Sequence, residues 1–231
     1  MPCTSTLTLL LSSGTTSVLL QQVLVRLTLL PVALAALIGV LRYRQLAPSL
    51  RPLAIGISAF LLPLGLLGLG LLQLHRNNLF IIPIYGIGEL CMLALMYSRA
   101  LQSPTFSRLW PWVVGGFAVY ALLDSWLVAN FLTFRSSQQV LQSILVLGMV
   151  GLYFRKLLSE LRVARLTQEP MVWVSTGLLI YFLGYLQIAL YSNYLLRYSL
   201  QLNMNIWAVH SWLFIVLHCF YSWALWLTPR K

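Results

Sequence analysis

Residues 79–101 read LFIIPIYGIGELCMLALMYSRAL, apolar almost throughout, with one carboxylate, Glu89, near the middle and one cation, Arg99, near the end. A helix of about 20 such residues crosses the hydrocarbon core of a bilayer. Comparable runs fill most of the chain. Its 231 residues are 60% hydrophobic and 8% charged, and the mean hydropathy is +0.85. Water-soluble domains carry roughly a quarter charged residues, so the composition excludes that class. Strands of an outer-membrane barrel would alternate apolar and polar residues over about ten positions. No such alternation occurs, and the chain reads as an all-α polytopic membrane protein.

Breaks at charge and proline predict seven transmembrane helices, over about residues 18–41, 53–74, 79–101, 110–133, 139–158, 171–193 and 206–228. Together they form one seven-helix domain behind a polar tail, residues 1–17. That tail has no early Lys or Arg and so lacks the basic start of a signal peptide. Pro52, Pro111 and Pro170 are expected at helix starts, where no amide donor is needed. Pro31, Pro63 and Pro83 fall inside spans and predict kinks.

Basic residues alternate sides. Arg42, Arg44, Arg51, Arg99, Arg108, Arg155, Lys156, Arg162, Arg165, Arg230 and Lys231 flank one side, whereas Arg76, Arg135 and Arg197 flank the other. By the positive-inside rule the amino terminus is outside and the carboxyl terminus cytoplasmic. The net charge of +11 then answers to anionic lipid headgroups, and nucleic acid is not an expected partner. The longest loop, RKLLSELRVARLTQEP (residues 155–170), has leucines at helical spacing between basic residues. It is expected to extend the fifth helix or lie along the inner surface. Its Arg155, Lys156, Arg162 and Arg165 form the candidate docking site for a cytoplasmic signalling protein.

Ionisable groups inside a membrane cost about 2.5–3.5 kcal/mol each on insertion scales, so they face the bundle interior and pair. Glu89 falls near the midplane, Asp124 in the outer half, Arg26 in the outer third of span one, and His210 just below the outer surface. Gln22, Asn130, Gln142, Gln187 and Ser211 lie on the same side, and His218 lies near the midplane. These depths predict a buried polar cluster opening outward, with Glu89, Asp124, Arg26, His210, His218 and Gln187 as members. Tyr85 and Tyr120 each precede an acid by four residues, which puts phenol and carboxyl on one helix face. In span seven His210, Phe214, His218 and Ser222 make a stripe at four-residue steps. Its two histidines are about 12 Å apart along the axis and cannot ligate one ion as a helical pair. Neither a metal nor another cofactor is expected.

Light-driven retinal proteins carry retinal on a lysine in the middle of the last helix. The only lysines here, Lys156 and Lys231, sit at helix edges. No GxSxG or HExxH motif occurs, and Cys3, Cys91 and Cys219 form no CxxC. The stretches NNLFIIPIYGIGE, MVWVSTGLLIYF and NIWAVHSWLFIV resemble those of a group of small bacterial seven-span inner-membrane proteins of unassigned function. The resemblance implies a bacterial inner-membrane location. The tyrosine and glutamate of YGIGE match the group's pattern, while Asp124 departs from it. Three functions fit this reading. The first is a sensory or small-ligand-binding module signalling to a cytoplasmic partner, and the second a small proton-coupled secondary transporter. The third is an intramembrane enzyme acting on a lipid-like substrate.

Overall fold

The computed structural model describes residues 23–24, 26–74, 80–127, 136–160, 168–198 and 200–227, and every regular element among them is helical. We number the helices α1 (Leu29–Leu41), α2 (Arg51–Gln73), α3 (Ile81–Leu101), α4 (Pro104–Leu127), α5 (Ser136–Glu160), α6 (Pro170–Tyr198) and α7 (Leu200–Leu227). Six of these, α2 to α7, are long and apolar enough to cross a membrane, and α1 is a shorter apolar helix. The structure thus describes a helical multi-pass membrane protein.

Each helix buries one stripe and leaves apolar residues on the other. On α1 the buried stripe is Val32, Ala35, Ala36 and Gly39, at helical spacing, while Leu30, Leu34 and Leu37 point outward. Lipid tails are as apolar as leucine, so helices associate here through close packing rather than by escaping water. The antiparallel pair α6–α7 shows this: a methyl group on Gly177 would come within 2.8 Å of Phe220 Cβ. Trp173 on α6 meets Phe220 and Trp223 on α7, with ring centroids 5.8 and 6.3 Å apart.

Cations gather at one end of the bundle and bind backbone carbonyls there. Arg42 donates to Trp226 O at the end of α7, and Arg99 to Pro48 O at 3.1 Å. Lys156 Nζ donates to Leu101 O at 2.7 Å and Ala100 O at 3.2 Å, at the end of α3. The last carbonyls of a helix have no intrahelical donor and carry partial negative charge, which is why cations are favoured at this end. These bonds place the ends of α1, α3, α5 and α7 at the basic end, and Trp173 near the start of α6 packs on Trp223 near the end of α7, so α6 runs the other way.

Several boundaries differ from the sequence expectation. Helix α4 starts at Pro104, so Pro111 lies inside it. Gln102 ends α3 in a left-handed conformation (φ 51°), and Ser103 Oγ accepts the Phe106 N–H at 3.4 Å with Pro104 at the first helical position, so a cap followed by an earlier proline starts the helix ahead of Pro111. Pro83 makes no kink because it sits in the first turn of α3, where its missing donor costs nothing. Near Pro31 the chain stays helical, with Thr28 N–H donating to Leu24 O at 3.0 Å, whereas a π-helical turn, Gly56–Leu61, leads into Pro63. Helix α5 extends into the basic loop as far as Glu160, and residues 161–167 lie outside the described residues.

Candidate functional site

Glu89 lies on the buried face of α3 with Gly86, Leu90 and Leu93. A carboxyl in that position needs a donor from another helix. Gln142 of α5 supplies it, donating Nε2–H to Glu89 Oε2 at 2.8 Å. The amide fits because residue 86 is glycine: a Cβ there would stand 2.9 Å from Gln142 Oε1.

This pair borders a cavity of about 310 Å³ lined by residues of α3, α5, α6 and α7 and by Thr28. Its walls are aromatic. Tyr181 and Tyr185 on α6 stack with ring centroids 5.5 Å apart, and His210 packs on Tyr185 at 4.9 Å and on Trp207 at 5.4 Å. The Tyr181 hydroxyl and His210 Nε2 share a hydrogen bond of 3.0 Å. Beside Glu89, the Tyr85 hydroxyl is buried with no partner among the described residues, which leaves it able to bond a guest. Among the described residues Glu89 is the one carboxylate in the lining, and neither Lys nor Arg contributes to it. An apolar annex of about 210 Å³ between α1 and α2 shares Thr28, Tyr85 and Phe214 with the cavity. The cavity residues come from the first halves of α3 and α5, from the middle of the antiparallel α6, and from α7 between Trp207 and its midpoint at Phe214. The cavity therefore lies toward the end of the bundle away from Arg42, Arg99 and Lys156.

Of the residues singled out from sequence, Glu89, Tyr85, His210, Gln142, Ser211 and Phe214 line this cavity. Asp124 does not. It is half-buried on α4, and its Oδ2 accepts from Gln138 Nε2 at 2.8 Å, while the same amide reaches Ala121 O and Ser125 Oγ. Tyr120, one turn before it, is likewise half-buried and away from the cavity. Arg26 is exposed, as is Gln187, whose position on α6 faces away from Tyr181 and Tyr185. His218 is buried beyond Phe214, its Nδ1 3.0 Å from Phe214 O. The expected stripe on α7 is present: Phe214 packs on His218 at 4.2 Å, and Ser222 Oγ donates to His218 O at 2.8 Å. Of the loop cations, Arg155 is exposed and Lys156 binds the end of α3, while Arg162 and Arg165 lie outside the described residues, as do Gln22 and Asn130.

Tyr181, Tyr185 and Trp207 were not singled out by sequence. YFLGYLQ carries two tyrosines at a helical step but no charge, so nothing in it marked a site. Buried polar groups also continue toward the basic end: the Tyr97 hydroxyl bonds Ser175 Oγ at 2.9 Å, and His218 Nε2 and the Tyr221 hydroxyl are buried without partners among the described residues. Among those residues no group of three His, Cys, Asp or Glu side chains is placed to hold a metal ion. No protein-family model, curated protein or solved structure matches the chain.

Proposed function

We propose that this chain is an integral membrane ligand-binding module of sensory type, with seven spans, its amino terminus outside and its carboxyl terminus in the cytoplasm of a bacterial cell. The observation that carries the reading is the cavity on Glu89. Its volume of about 310 Å³ lies at the small end of the roughly 300–1,000 Å³ typical of ligand sites. One carboxylate among aromatic faces suits a small, mainly apolar molecule with a single cationic or hydrogen-bonding head. The cation would be attracted by both the acid and the ring faces. Placed away from the basic end, the cavity would open to the outside under the positive-inside rule.

A route for a signal follows from the bonds between α3 and α5. These parallel helices are joined at the cavity by Glu89 and Gln142, and at their far ends by Lys156 with Ala100 and Leu101. A guest that competes for Glu89 loosens the first link and lets the two rods shift against each other at the second. The segment beyond Glu160 is where a cytoplasmic partner would read that shift. Mass spectrometry of small molecules retained by the full chain in mild detergent tests the proposal. A compound present with the wild type should be lost with Glu89→Gln and with the cavity-filling Ser211→Phe. An identical set from all three proteins would refute it.

Proton-coupled transport is the second reading, supported by the buried polar groups at Tyr97, Ser175, His218 and Tyr221 inward of the cavity. Uptake into proteoliposomes driven by a pH gradient, abolished by Glu89→Gln, would favour transport over sensing.

A further inference from the structure

A second cleft, unconnected with Glu89 chemistry, runs down the outside of the bundle between α4 and α5. Its upper part is an apolar groove of about 440 Å³, whose walls include Leu109, Trp110 and Val113 of α4 and Ile144, Gly148 and Leu152 of α5. Its lower part is a polar recess of about 530 Å³ at the basic end, bordered by Gln102, Ser103, Arg155, Lys156 and Ser159. Phe106 and Leu152 border both, so the two parts are continuous. From Ile144 to Arg155 the cleft follows about 16 Å of helix, at 1.5 Å per residue.

We propose that this cleft is a binding site for one anionic phospholipid, with an acyl chain in the groove and the phosphate at Arg155 and Ser103. The apolar length alone would accept any lipid tail, so the selectivity lies in the recess. Arg155 presents a planar set of donors matched to phosphate oxygens, and Lys156 adds positive charge while keeping its bonds to the α3 carbonyls. Among the described residues no carboxylate borders either part. Basic pockets between helices on the cytoplasmic side are suited to anionic headgroups, and the positive-inside orientation puts this recess on that side.

Gly148 allows a test that spares the fold. A Cβ there would meet nothing within 4 Å, so a side chain at this position starts in open space, and Gly148→Leu is chosen to fill the groove. Native mass spectrometry of delipidated full-length protein, titrated with phosphatidylglycerol or phosphatidylcholine, reads the occupancy. Wild type should take up one phosphatidylglycerol at about tenfold lower concentration than phosphatidylcholine. Arg155→Glu should erase that preference, and Gly148→Leu should weaken uptake of both lipids. Equal uptake of the two lipids by wild type, or an unchanged preference in Arg155→Glu, would overturn the proposal. Full displacement of the lipid by soluble glycerol phosphate would overturn it as well, because the site would then recognise free phosphate rather than a lipid.

Discussion

Gln138 and Gln142 lie one turn apart on α5, and each amide binds one carboxylate, Asp124 from α4 and Glu89 from α3. The two acids are therefore satisfied separately along one helix rather than together in one recess. Replacing Gln142 by Leu leaves Glu89 buried without its donor, and the expected loss of stability is about 1–3 kcal/mol. Adding Glu89→Leu should recover most of that loss, because both polar partners are then gone. Thermal unfolding in detergent checks both variants. Glu169, just ahead of α6, gives a prediction about pH. Burial pushes its carboxyl above the ordinary value of 4.5, so the folded chain favours the neutral acid. Stability from this group is present at low pH and lost as pH rises through the carboxylate range, and Glu169→Gln should flatten that slope in unfolding midpoints. Sequence revealed Glu89 and Tyr85 because a charge in an apolar run and a four-residue step are both local features. It misplaced Asp124, Arg26 and Gln187 because depth along a helix says nothing of its rotation, and rotation is set by neighbouring helices.

In α2 the π turn at Gly56–Leu61 directs Phe60 onto α3 at Gly88, where a Cβ would collide with the ring. Helix α3 therefore needs a glycine at that point to receive a side chain from an irregular turn. Gly88→Val should cost about 1–3 kcal/mol by overpacking, and Phe60→Ala in the same chain should return part of it. Additive losses in the double variant, measured by thermal unfolding, would show that the two residues do not meet. The six long helices were legible from hydropathy because the bilayer length is a strong constraint on any spanning segment. Their ends were less so. The start of α4 is set by Ser103 capping Phe106 with Pro104 at the first helical position rather than by Pro111, and the less apolar residues between the two prolines hid the earlier start from hydropathy.

At the scale of the whole molecule, alternating helix directions put Arg42, Arg99 and Lys156 at one end and the Glu89 cavity toward the other. The basic count in the sequence foreshadowed the first of these, since each loop declares its charge. The cavity was only partly foreshadowed, because its walls are neutral aromatic residues gathered from separate helices. The account predicts that single cysteines at the two ends react from opposite sides of the membrane. Ser159→Cys, at the basic end, should resist a membrane-impermeant thiol reagent in intact cells and react once they are opened. The most direct measurement of the central claim uses Ser211→Cys, in the cavity wall, with Cys3, Cys91 and Cys219 changed to serine. A small cationic methanethiosulfonate added outside should modify it rapidly, and several-fold more slowly when Glu89→Gln removes the attracting charge. Modification only after permeabilisation, or a rate indifferent to Glu89, would contradict an outward-facing site built on that carboxylate.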